Sequence, residues 1–208
     1  MTTYRNAEAL VEALIARYRG LRSYSDVGVV RPVHADEPLS TWFETDYASP
    51  DMFRFQFVRP HPHPRLRWRL TKYIAGASSD GAYFYTEERG GSRRVEREAS
   101  LEMAVAGATG ISEGTAHTIG SLLMDRVGGF SFDMLNRIRF REIRCFDGVF
   151  CHCVSGVHPR GGRFTLLVSV QDLLLRKLIH HKTRREEVRF NIRTDIAIPE
   201  ERFAIPAA

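Results

Sequence analysis

The chain has little lysine. Only Lys72, Lys177 and Lys182 stand among its 30 basic residues, so its positive charge is almost entirely guanidinium. It has no run approaching the roughly 18 apolar residues of a membrane-spanning helix. Its cysteines number three, Cys145, Cys151 and Cys153, and an odd count excludes a fully paired intrachain disulfide framework. Familiar catalytic signatures are missing too. The chain reads as having no glycine-rich phosphate loop, no Gly-x-Ser-x-Gly elbow and no His-Glu-x-x-His pair. The amino terminus lacks the basic start and apolar core of a signal peptide, which taken alone reads as cytoplasmic.

What is present is an ordinary globular balance, 43% apolar and 26% charged. At 208 residues it suits one domain, residues 1–208, with a sizeable core. The net charge of +5 comes from arginines that alternate with apolar residues, as in Arg65-Leu66-Arg67-Trp68-Arg69. That is the pattern of a solvated strand face rather than a nucleic-acid groove. A lipid headgroup or membrane surface is the alternative anionic partner.

Residues 41–57 organise the rest. Phe43, Thr45 and Tyr47 alternate with polar residues, as do Phe53, Phe55 and Phe57, and Ser49-Pro50-Asp51 separates the two runs. Period-two alternation with a Pro-Asp turn predicts a hairpin with one aromatic face, too greasy to stand uncovered. Opposite that face, Glu44 and Asp46 are expected in solvent and Arg54 to point outward, without a ligand role.

Helical spacing of Ala9, Leu10, Ala13, Leu14 and Tyr18 predicts a helix within residues 1–20, capped by Asn6 and stopped at Gly20. Residues 100–128 lose strand alternation. They read as a short helix broken near Gly107–Gly110, then a second capped by Ser112 and carrying Ile119, Leu122, Leu123 and Val127. Gly114 and Gly120 weaken that helix by about 1 kcal/mol each relative to alanine. Strands are expected at 67–75, 82–86, 138–146, 149–157 and 164–170, with 173–180 ambiguous, and Asp147-Gly148 marks a tight hairpin. Val188, Phe190 and Ile192 are expected to share one face of the last strand.

Phe43-x-Thr45-x-Tyr47-x-x-Pro50 resembles the early hairpin of LolA-like lipoprotein-sorting proteins. The preceding Leu21-x-Ser23-Tyr24-x-Asp26 and the closing Ile198-Pro199-x-x-x-Phe203 resemble the same family, in the same order. The resemblance implies a mainly β, α+β fold. It would be a single incomplete antiparallel barrel, a half-barrel covered by an N-terminal helix and an inserted helical lid. It also implies non-catalytic carriage of lipid or lipoprotein acyl chains, without a cofactor, in a periplasmic or other extracytoplasmic setting reached by a leader that has been removed. The expected apolar cavity would be lined by Phe43, Tyr47, Phe53, Phe55, Phe57, Ile119, Leu122, Leu123 and Phe190.

Other readings compete. Phenylalanines at alternate strand positions are most often plain core. The same fold could act as a sensor that binds a membrane-associated protein partner. A lipid-modifying enzyme would place a polar cluster with His117, His152 or His180 at a cavity mouth. Cys145, Cys151 and Cys153 read as small half-buried thiols, since Cys145 should face Phe150 and Cys151 should face Arg144 across the hairpin. His61 and His63 lie in a Pro-rich segment and read as a loop, not a metal site.

Overall fold

Alternation and turn chemistry together set the sheet. The computed structural model describes residues 4–33, 40–61, 65, 69–88, 90–127 and 131–206. Pro62, His63 and Pro64 lie outside the described residues. Strands β1 (Ser23–Pro32), β2 (Thr41–Ala48), β3 (Met52–Pro60), β4 (Leu70–Ser78), β5 (Gly81–Glu88) and β6 (Arg93–Glu98) form one meander. A second comprises β7 (Asn136–Phe146), β8 (Val149–His158), β9 (Gly162–Ser169), β10 (Leu175–His180) and β11 (Arg185–Thr194). Strand β11 returns to pair antiparallel with β1, giving one 11-stranded sheet in the order β6-β5-β4-β3-β2-β1-β11-β10-β9-β8-β7. Its outer strands β6 and β7 do not meet, so the sheet is an open half-barrel. Both edges are rich in arginine and glutamate, which discourages edge-to-edge pairing with another chain.

The predicted hairpin has the expected register, with Thr45 opposite Phe55 and Tyr47 opposite Phe53. At Asp147-Gly148 both residues take positive φ, 49° and 74°, which suits the twist of the flanking strands. Arg144 faces Cys151 and Cys145 faces Phe150, as expected. All three cysteines are free thiols. Cys151 and Cys153 are buried beside Leu167, and burial pushes the Cys151 thiol up to about 11, away from thiolate reactivity.

Helices fill the concave side: α1 (Ala7–Arg19), α2 (Leu101–Ile111) and α3 (Thr115–Leu123). Asn6 caps α1 as expected, its Oδ1 accepting from the Ala9 amide at 2.8 Å. The α2 helix runs through Gly107 and Gly110 instead of breaking there. Ser112 does serve α3, its Oγ accepting from the Ala116 amide at 3.2 Å. At the other end of α3, Arg19 donates to the carbonyl oxygens of Ser121 and Leu122, both at 3.0 Å. Those carbonyls would otherwise lack a helical partner. Among the described residues no helix is long and apolar enough to cross a membrane.

The convex side corrects two expectations. Asp46 is buried, not solvated, because the C-terminal tail lies over this face. Arg202 from the tail donates to Asp46 at 2.7 Å, and Arg54 approaches the same carboxylate at 3.7 Å. The last strand also departs from simple alternation. A bulge at Asn191, φ 52°, puts Phe190 edge-on to Trp42 on the convex side while Ile192 packs into the main core.

At the join between the two meanders, Phe43 lies flat on Gly28. A Cβ at Gly28 would stand 2.1 Å from Phe43 Cζ and 2.4 Å from the Val188 carbonyl oxygen. Because the second clash is with backbone, Gly28→Ala is expected to lower stability by about 3 kcal/mol, the upper end of ordinary overpacking costs. Urea denaturation would show this, and a change below about 0.5 kcal/mol, the range of neutral surface substitutions, would contradict the packing described.

Candidate functional site

The aromatic stripe is packed solid. Phe53, Phe55 and Phe57 are fully buried, and Phe43 and Phe55 stack at 5.6 Å, as do Phe57 and Tyr73 at 4.9 Å. Ile119, Leu122 and Leu123 of α3 are buried in the same core. Open space lies elsewhere. A cavity of about 340 Å³ sits where the turn between α2 and α3 overhangs one end of the sheet. Val30, Phe164 and Leu178 supply its apolar surface, from β1, β9 and β10. Thr109, Thr115, His117 and Thr118 come from the helices, and His158, Arg160, His180 and Arg185 from strand ends.

The hydrogen bonds assign the imidazoles. His180 sits between the Gly161 carbonyl, 2.6 Å from Nε2, and the Thr183 hydroxyl, 2.9 Å from Nδ1. The carbonyl can only accept, so Nε2 carries the proton. Both ring nitrogens are thereby committed, and the ring stacks on Phe164 at 4.4 Å. In His158, Nδ1 accepts from the Arg160 amide at 3.2 Å, which leaves the neutral ring's proton on Nε2. The Thr109 hydroxyl donates to the Val105 carbonyl at 2.7 Å, so towards His117 Nδ1, 3.1 Å away, it acts as acceptor. Burial holds His117 and His158 below the ordinary histidine value, and nearby Arg160 adds to the effect at His158.

Among the described residues, every carboxylate lining the cavity is ion-paired. Glu113, at φ 59°, reaches Arg185 at 3.1 Å and Arg59 at 3.8 Å, tying the α2–α3 turn to β11 and β3. Glu186 contacts Lys177 at 2.6 Å and Arg31 at 2.7 Å. Burial alone would raise Glu186, but these two hydrogen bonds outweigh it and hold the carboxyl low. Glu187 is fully buried against Arg189, and burial raises it above the ordinary range. Among the described residues, no group of three or more His, Cys, Asp or Glu side chains is placed to hold a metal ion.

None of the nine residues expected to line a cavity lines this one. Phe53, Phe55, Phe57, Ile119 and Leu122 are core. Tyr47 and Leu123 border a polar depression of about 490 Å³ at the opposite end, whose walls carry the ion pairs Arg19–Asp125 and Arg126–Asp51. Phe43 and Phe190 border a convex-side hollow of about 210 Å³ beside Trp42. Of the histidines in the enzyme alternative, His117 and His180 line the cavity, while His152 stands apart, edge-on to Tyr4 at 5.7 Å.

Contrary to the expectation from the sequence, Gly110-Ile111-Ser112-Glu113-Gly114 does match the Gly-x-Ser-x-Gly pattern. It joins two helices rather than a strand and a helix. The strained φ belongs to Glu113, and Ser112 is fully buried as a cap, outside the cavity lining. Ser112 therefore lacks the exposed, strained setting of a nucleophile elbow.

No protein-family model matches the chain, and no curated protein does. Solved structures do. LprF of Mycobacterium bovis aligns over 93% of this chain and 95% of its own, at 14% identity and TM-score 0.53. The lipoprotein LppX of Mycobacterium tuberculosis aligns over 93% and 97%, at 10% identity and TM-score 0.50. At such identities the likeness concerns the fold alone, an open antiparallel sheet with helices in its concavity.

The lowered histidines have a consequence for stability. Their folded pKa values lie below the unfolded value of about 6.5, so the unfolded chain binds more protons in that window. Stability is thus complete above that value and falls as pH drops through the folded values. Urea midpoints should decline from pH 7.5 to 5.5, and His117→Gln/His158→Gln should flatten the decline. The comparison isolates the histidines from Glu187, whose raised pKa acts with the opposite sign. Equal slopes in the two proteins would contradict the assignment.

Proposed function

We propose that the protein binds a single acyl chain, without catalysis, in the cavity beneath the α2–α3 turn, and that it works as a lipid or lipoprotein carrier outside the cytoplasm. The observation that carries this reading is the cavity walled by the buried apolar side chains of Val30, Phe164 and Leu178 at one end of the half-barrel, whereas the larger depression at the other end is polar. At about 340 Å³ the cavity lies near the small end of ligand sites, which span about 300–1,000 Å³. That volume suits one chain, not several at once. Burying ten methylenes releases about 8 kcal/mol gross at about 0.8 kcal/mol each. Ordering the chain and the α2–α3 turn offsets part of this, leaving micromolar affinity within reach. The extracytoplasmic setting draws support from the fold shared with LppX, which is a lipoprotein.

The polar groups favour binding over chemistry. Thr109 donates its proton to a backbone carbonyl, Ser112 caps a helix, and His180 is engaged at both nitrogens. These side chains serve as walls and struts. The Glu113 bridges are the natural point of release when the α2–α3 turn moves to admit a chain.

Native mass spectrometry with fluorescent fatty-acid titration tests the reading. We expect one chain bound per protein at micromolar Kd, with Val30→Phe weakening uptake about tenfold or more, equivalent to about 1.4 kcal/mol. Phe55→Leu, which alters the packed stripe, should leave uptake within about threefold. Absence of uptake would overturn the proposal. So would loss on Phe55→Leu with retention on Val30→Phe, because the stripe would then be the site.

A further inference from the structure

Two hairpin turns meet at the cavity mouth, and neither contains an acid. Residues 158–163, between β8 and β9, read His-Pro-Arg-Gly-Gly-Arg, and residues 180–185, between β10 and β11, read His-His-Lys-Thr-Arg-Arg. The turns are locked side by side. Phe164 pairs with His180 in the sheet, and His180 Nε2 donates to the Gly161 carbonyl at 2.6 Å. Thr165 Oγ1 meets His181 Nε2 at 2.8 Å, joining the same two strands again. The result is a cationic collar beside the apolar surface. Among the described residues the carboxylates that reach the cavity are Glu113, Glu186 and Glu187. Glu113 offsets the collar's Arg185, while Glu186 is held by Lys177 and Arg31 and Glu187 by Arg189, and none of these ion pairs involves Arg160. The first turn of α3, also in the lining, adds the partial positive charge of a helix N-terminus.

Resting on the acyl-chain reading, we propose that the ligand is an anionic amphiphile. Its acidic head, a carboxylate or a phosphate, is held at the collar by Arg160, while its chain lies on Val30, Phe164 and Leu178. Arg160 is exposed on the turn and lines the cavity, so its guanidinium can reach a head at the mouth. A planar guanidinium suits both head types because it presents paired donors to two oxygens at once. A neutral head would leave the collar's charge unanswered, and a cationic head would be repelled.

Displacement of the uncharged fluorophore N-phenylnaphthylamine by matched dodecyl compounds tests the proposal. Laurate and dodecyl phosphate should displace it at concentrations about tenfold below dodecanol, with dodecylammonium weakest, a difference of about 1.4 kcal/mol. Whichever acid is stronger identifies the head as carboxylate or phosphate. Arg160→Gln should bring the acids to within about twofold of dodecanol without moving dodecanol itself, and Arg160→Lys should restore most of the preference. If dodecanol matches the acids, or dodecylammonium is tightest, the head assignment falls while the acyl-chain reading stands. If no dodecyl compound displaces the fluorophore, the acyl-chain reading fails and the head assignment with it.

Discussion

A single buried guanidinium joins the two halves of the half-barrel. Arg189 on β11 contacts Asp26 on β1 at 2.5 Å, bonds Glu187 on its own strand, and lies 4.8 Å over the ring of Phe43 on β2. Tyr24 completes the group by donating to Asp26 at 2.6 Å. Fully desolvated, such a charge persists only with its partners, and removing one partner of a buried pair costs about 3–5 kcal/mol. The β1–β11 junction is where the N-terminal meander meets the C-terminal one, and among the described residues no other strand pairing links them. The charged cluster therefore reinforces the β1–β11 ladder at the junction where Phe43 packs on Gly28.

The same constraint explains why the cavity sits at one end. Beside the cluster the concavity is packed with α3 and the aromatic stripe. Beyond it β1, β10 and β11 run on past the α2–α3 turn, and α3 begins only at Thr115. Val30, Phe164 and Leu178 are buried at this end, where the α2–α3 turn covers them less closely than α3 covers the stripe and leaves the cavity between. Glu187, buried beside Arg189, also lines this space, so the cavity borders the cluster that holds the sheet together.

Much of the fold was legible because short-range rules govern it. Asn6 and Gly20 delimit α1, Asp147-Gly148 makes the turn, and alternation puts Phe53, Phe55 and Phe57 on one face. What escaped depends on distant parts of the chain. Asp46 looks like a solvent residue until the tail brings Arg202 to it across 156 positions. Phe190 shares spacing with Ile192, but a bulge at Asn191, marked only by asparagine's tolerance of positive φ, sends them to opposite faces. Aromatic abundance pointed to the stripe as the cavity, whereas bulky side chains are what fill a core. The proposed site's marker is quieter: the runs 158–163 and 180–185, each basic and free of acids, which the sheet order makes neighbours.

The most direct test of the central claim is a crystal structure of the protein soaked with a fatty acid brominated on its terminal carbon. One anomalous bromine peak is expected within the cavity, against Phe164 and Leu178. A peak beneath α3 against Phe53 and Phe55, or in the polar depression near Arg126 and Asp51, would contradict it.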